Sequence, residues 1–70
     1  MGLKWDDSEE IALRLAERHP GVNPLSVRFT DLHRWVSEID EFDDDPQAST
    51  EGKLEAIQMA WLEEFKESQR

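Results

Sequence analysis

Seventy residues, no cysteine and a formal charge of −9, from 17 acidic and 8 basic side chains, set narrow limits on what this chain can be. The length allows one domain, residues 1–70, whose core supplies only about 3–5 kcal/mol. The missing cysteines exclude disulfides, thiolate metal sites, Cys-held clusters and Cys nucleophiles, and the charge disfavours DNA, RNA and anionic membranes while favouring basic proteins and cations.

The N-terminal stretch Met1 to Asp7 has no apolar h-region of a signal peptide. Asp6 stands where a myristoylation motif wants Ser or Thr. No apolar run approaches the roughly 20 residues of a membrane span. A cytoplasmic monomer is the expectation, in keeping with a reducing compartment.

Asp7 announces the first helix as its N-cap, with Glu10 at capping-box spacing. Ile11, Ala12, Leu15 and Ala16 share one face. Arg18 and His19 complement the C-terminal dipole as cations, and Pro20-Gly21 stops the helix. Val22 to Ser26 reads as a turn broken by Asn23-Pro24, and Ser26 to Phe29 as a short extended piece. Thr30 is the N-cap expected for a second helix that ends near Asp40, with Leu32, Trp35, Val36 and Ile39 on its apolar stripe.

Glu38 to Asp45 follows, with six acids in eight residues. Pro46 pushes Asp45 out of helical geometry, and Gln47 to Ser49 continue as loop. Ser49 or Thr50 caps a third helix carrying Leu54, Ile57, Trp61, Leu62 and Phe65, with a tail from Lys66 to Arg70 expected to fray. The fold class is mainly α, a compact three-helix domain. Helix, extended piece, helix, helix is also the order of the front half of a winged helix, though the chain is too short for a full wing.

The acidic run is the one feature beyond ordinary composition. Its plain reading is a solvated connection. Ile39 and Phe42 interrupt it, however, and can pin it to the core. Asp40, Glu41, Asp43, Asp44 and Asp45 offer oxygen ligands to a hard or borderline divalent cation, in an open and weakly selective site. The spacing is not that of an EF-hand.

Asp6, Asp7, Glu9 and Glu10 chiefly suit a helix start, and a second cation contact is the lesser alternative. Asp31 sits in the first turn of the second helix and can join the acidic face. Trp35, Trp61 and Phe65 read as core, and Trp5 as a staple of the N-terminus. Arg14, Arg18, Arg28 and Arg34 are scattered positives expected to pair with neighbouring acids. No phosphate loop and no nucleophile–His–acid set is present, and there is no room for a substrate pocket, so an enzyme is not expected.

Several segments together resemble one known family: Gly2-Leu3-Lys4-Trp5, Glu10-Ile11, Val27-Arg28-Phe29-Thr30-Asp31-Leu32-His33, Phe42-Asp43-Asp44-Asp45-Pro46-Gln47-Ala48-Ser49, Leu54-Glu55-Ala56-Ile57 and Trp61-Leu62. They look like the IscX (YfhJ) family of iron–sulphur cluster assembly accessory proteins. The resemblance implies a modified winged-helix fold, weak and labile Fe²⁺ binding through surface carboxylates, and docking on an IscS-like cysteine desulfurase, in part competing with a frataxin-like protein. It carries Asp31, Asp43, Asp44 and Asp45 over as acids of that surface. Asp40 and Glu41 adjoin them, and Glu10 extends the same face toward the partner. The competing readings are a generic acidic interaction or divalent-cation module and a winged-helix nucleic-acid binder.

Overall fold

In the structure, a computed structural model that describes residues 2–68, three helices carry the chain. They are α1 (Ser8–Arg18), α2 (Phe29–Ser37) and α3 (Glu51–Ser68), with short 3-10 turns at Pro24–Ser26 and Pro46–Ala48. Among the described residues there is no β-ladder, only an isolated parallel bridge between Leu3 and Phe42. The mainly α class is therefore observed. The likeness to a winged helix, expected from the element order and from the family resemblance, is not confirmed, since among the described residues no strands pair into a wing.

The elements follow from local chemistry. Ile11, Ala12 and Leu15 bury one stripe of α1, and Leu54, Ile57, Trp61 and Leu62 bury one stripe of α3. These two helices make the most extensive helix–helix contact. Leu32 and Val36 of α2 close the core, with Ile39 from just beyond its end. Pro20 and Gly21 end the first helix as expected, and Gly21 has φ +82°, the left-handed region open to a residue without Cβ.

Several local details differ from the sequence reading. Asp7 is the N-cap residue of α1, yet its side chain makes no cap bond and instead accepts from the amide of Lys4 at 2.9 Å. The carboxylate is used to close the preceding turn, which leaves the capping box unformed. The second helix starts at Phe29, with Arg28 rather than Thr30 as its cap residue, and ends at Ser37. Only Val27 and Arg28 remain extended, because Pro24–Ser26 is a 3-10 turn whose first amide bonds to the Asn23 side chain. Gln47 and Ala48 also lie in such a turn. Thr50 caps α3 by accepting from the amide of Lys53 at 3.2 Å. The tail stays helical through Ser68, and the part of it expected to fray at Gln69 and Arg70 lies outside the described residues.

His19 is not the exposed cation that its place at a helix end implied. Its ring stacks on Trp35 with centroids 4.0 Å apart and 15° between planes. Burial first, and then Arg18, push its pKa below the ordinary value, with Glu38 opposing. Trp35 and Phe65 are half-buried rather than fully in the core.

Trp5 is only 1% exposed and belongs to the central cluster with Ile11, Leu15, Leu32, Val36 and Ile57. It staples the N-terminus onto the core, as its place before the first helix implied, and does so as a fully buried member of that core. Replacing a buried Trp by Ala costs roughly 3–5 kcal/mol, comparable to all that a core of this size supplies. Trp5→Ala is therefore expected to be largely unfolded at room temperature, read by far-UV circular dichroism and urea titration. A cooperative melt close to that of the parent would contradict this placement.

Candidate functional site

The acidic run leaves α2 through a tight reversal. Ile39 N–H donates to Val36 O at 3.1 Å and Phe42 N–H to Ile39 O at 3.0 Å. Ile39 is buried, and Phe42 packs against Trp5 in a T-shaped pair, with centroids 4.8 Å apart and 70° between planes. Both apolar interruptions pin the run, as their pattern implied.

What fixes its path is the N-terminal segment. Leu3 N–H donates to Glu41 O at 2.7 Å, and Asp43 N–H donates to Leu3 O at 2.8 Å. Trp5 N–H donates to Asp44 Oδ2 at 3.1 Å, and the Trp5 indole N–H to Asp45 O at 2.8 Å. Lys4 Nζ donates to Asp43 O and stands 3.8 Å from its carboxylate. A Cβ on Gly2 would strike the Asp43 side chain and come 2.6 Å from Glu41 O, so glycine is what permits this approach. On the far side, His33 Nε2 bonds Pro46 O at 2.6 Å. A carbonyl can only accept, which makes Nε2 the protonated nitrogen.

The seven loop and helix carboxylates named from the sequence then separate into roles. Asp44 spends both oxygens on amides, Oδ2 on Trp5 and Oδ1 on Asp45 at 2.8 Å. Those two bonds, in that order, hold its pKa below the usual value against the effect of burial, and Lys4 and Lys53 add to the lowering. Asp45 gives one oxygen to Gln47 N–H at 2.9 Å, capping the 3-10 turn. Glu41 pairs with Arg14 at 3.2 Å, and Arg14 also reaches Glu10 at 3.4 Å, so one guanidinium brings α1 and the loop together. Asp31 pairs with Arg34 at 3.6 Å. Asp40 and Asp43 project as exposed residues. At the start of α1, Asp6 lies 3.3 Å from Lys53.

These positions make an open negative surface rather than a closed cage. Among the described residues, no three His, Asp or Glu side chains gather so as to hold a metal ion.

The iron–sulphur cluster assembly family matches the chain over residues 3–66. The chain belongs to this family, that of the IscX-like proteins. An uncharacterized protein of Pseudomonas aeruginosa is 59% identical over 64 residues, covering 91% of this chain and 97% of the relative. The family assignment places the chain in iron–sulphur cluster assembly. No helix among the described residues is long and apolar enough to cross a membrane.

For an IscX-like chain, the N-terminal strap, with its hydrogen bonds to the acidic loop, and the bond of His33 to Pro46 O are the parts of the site that residue patterns missed. The one local signal was a Trp outside any helical stripe, with an indole N–H that needs a partner once buried.

The lowered pKa of Asp44 has a signed consequence. Its ionised form is favoured in the folded state, so the stability it contributes is present above the ordinary Asp value of about 3.9 and is lost as pH falls through its lower folded value. Asp44→Asn should therefore be less stable than the parent at neutral pH, and the difference in urea midpoint should shrink between about pH 4 and pH 2. A difference that stays constant over that range would show that the carboxylate charge is not what holds the strap.

Proposed function

We propose that this chain is a non-catalytic accessory of iron–sulphur cluster assembly that docks on an IscS-like cysteine desulfurase through the loop after α2 and takes up Fe²⁺ loosely as cargo or signal. One observation carries the reading. The backbone of residues 41–45 is held by bonds to Leu3, Lys4 and Trp5, while Asp40 and Asp43 stay exposed. A negative surface already fixed in shape loses little entropy on docking, and its charge speeds encounter with a basic surface. Family membership supports a partner within the assembly machinery, and the resemblance to IscX-like proteins points to the desulfurase. A frataxin-like protein is expected to contest the same partner surface.

The iron part of the proposal draws on donor chemistry. Without cysteine the chain offers oxygen, and carboxylate and water ligands exchange readily. Asp44 and Asp45 are engaged with backbone amides. That leaves Asp40 as the freest donor, with Asp43 available beside Lys4 and Glu41 when Arg14 releases it.

Titration calorimetry with the desulfurase tests the docking. Asp40→Asn combined with Asp43→Asn should weaken binding by roughly tenfold or more at low salt, with the deficit narrowing as salt screens the charges. Unchanged affinity would remove the loop from the interface. For iron, substoichiometric Fe²⁺ should broaden amide signals of residues 40–43 before others, and broadening elsewhere alone would reject the assignment.

A further inference from the structure

Beside the acidic loop lies an apolar cleft that the docking charges leave unused. Phe29, Thr30, His33 and Leu54 line an open depression of about 300 Å³ between the starts of α2 and α3. Phe29 and His33 are half-buried, Leu54 is nearly buried and Thr30 is exposed on the rim. The cleft shares a wall with the loop, because His33 both lines it and bonds Pro46 O, while its ring stacks on Trp5 with centroids 5.2 Å apart. Any shift of the loop is therefore felt at the cleft.

Charge and affinity are divided between different groups at interfaces. Rim carboxylates govern encounter and specificity, whereas tight binding comes from an apolar side chain seated in a desolvated pocket. A surface of exposed carboxylates alone would be weak and easily screened. The starts of two helices would by themselves present partial positive charge. Here Asp31 occupies the first turn of α2 and Glu51 the first turn of α3, which turns the local field toward cations. Arg34 pairs with Asp31 itself and offsets part of that field, whereas Lys53 is held away from the cleft against Asp6.

We propose that this cleft seats one apolar side chain of the basic segment with which the desulfurase engages the acidic loop, so that cleft and loop form one two-part docking surface. The inference rests on the docking function proposed above and assigns it an anchor.

The experiment compares variants by calorimetry with the desulfurase holoenzyme at low and high salt, each variant first checked by circular dichroism. Thr30→Gln fills the cleft from its exposed rim without entering the core. It should weaken binding by roughly tenfold at both salt concentrations, because apolar burial is little screened. Thr30→Ser leaves the cleft open and should bind as the parent does. The Asp40→Asn, Asp43→Asn double variant should instead show a deficit that fades in salt. If Thr30→Gln binds within about twofold of the parent while the double variant is weakened, the cleft is not the anchor and the docking function stands. If the parent chain itself does not bind the desulfurase, both fall.

Discussion

Trp5 joins two tasks that are usually kept apart in a small domain. Its indole is buried among Ile11, Leu15, Leu32 and Val36, and its two N–H groups reach residues 39 and 40 positions away in sequence, Asp44 and Asp45. The same residue that completes the core therefore sets the path of the acidic loop, through its backbone amide and its indole N–H. Phe42 packs against it in a T-shaped arrangement and His33 stacks on its face, so the loop, the cleft and the core meet at one ring system.

That arrangement answers the question of how six acids are tolerated in eight residues. Like charges at this density repel, and ion pairs alone offset little. Exposed pairs such as Arg14 with Glu41 contribute about 0–1 kcal/mol each. The stronger device is the use of carboxylates as acceptors for backbone amides, since charge-assisted bonds exceed neutral ones. Asp44 takes two such amides and Asp45 one. The acids thus divide into those that fix the loop and those it displays. The display, chiefly Asp40 and, beside Lys4, Asp43, is the part of the loop on which the proposed docking draws.

The helices were legible because their signals are local. Ile11, Leu15, Leu54 and Trp61 lie on periodic stripes, and Pro20-Gly21 is a stop by composition. Ile39 and Phe42 as pins of the acidic run were also readable, since apolar residues stand out in a charged segment. The strap was not readable, because no periodicity records a hydrogen bond spanning some 40 positions. For the same reason Asp43, Asp44 and Asp45 look equivalent in sequence and differ in the fold, where neighbours decide which oxygen faces an amide. The cap bond of Asp7, though not its N-cap position, and the free cation at His19 went astray in a related way. A cap bond and a helix-end cation are sound local expectations, and each was overridden by a contact from outside its helix, the Lys4 amide in one case and the Trp35 ring in the other.

The central claim is that the N-terminal strap and the acidic loop belong to the same cooperative unit as the core. Amide hydrogen exchange of the free protein tests it most directly, since amides that open only with global unfolding share the highest protection. The Trp5 and Asp43 amides, which donate to Asp44 Oδ2 and Leu3 O, should then exchange as slowly as those in the middle of α3 around Ile57. Exchange of these two amides near the rate of an unprotected chain, while α3 remains protected, would contradict the account.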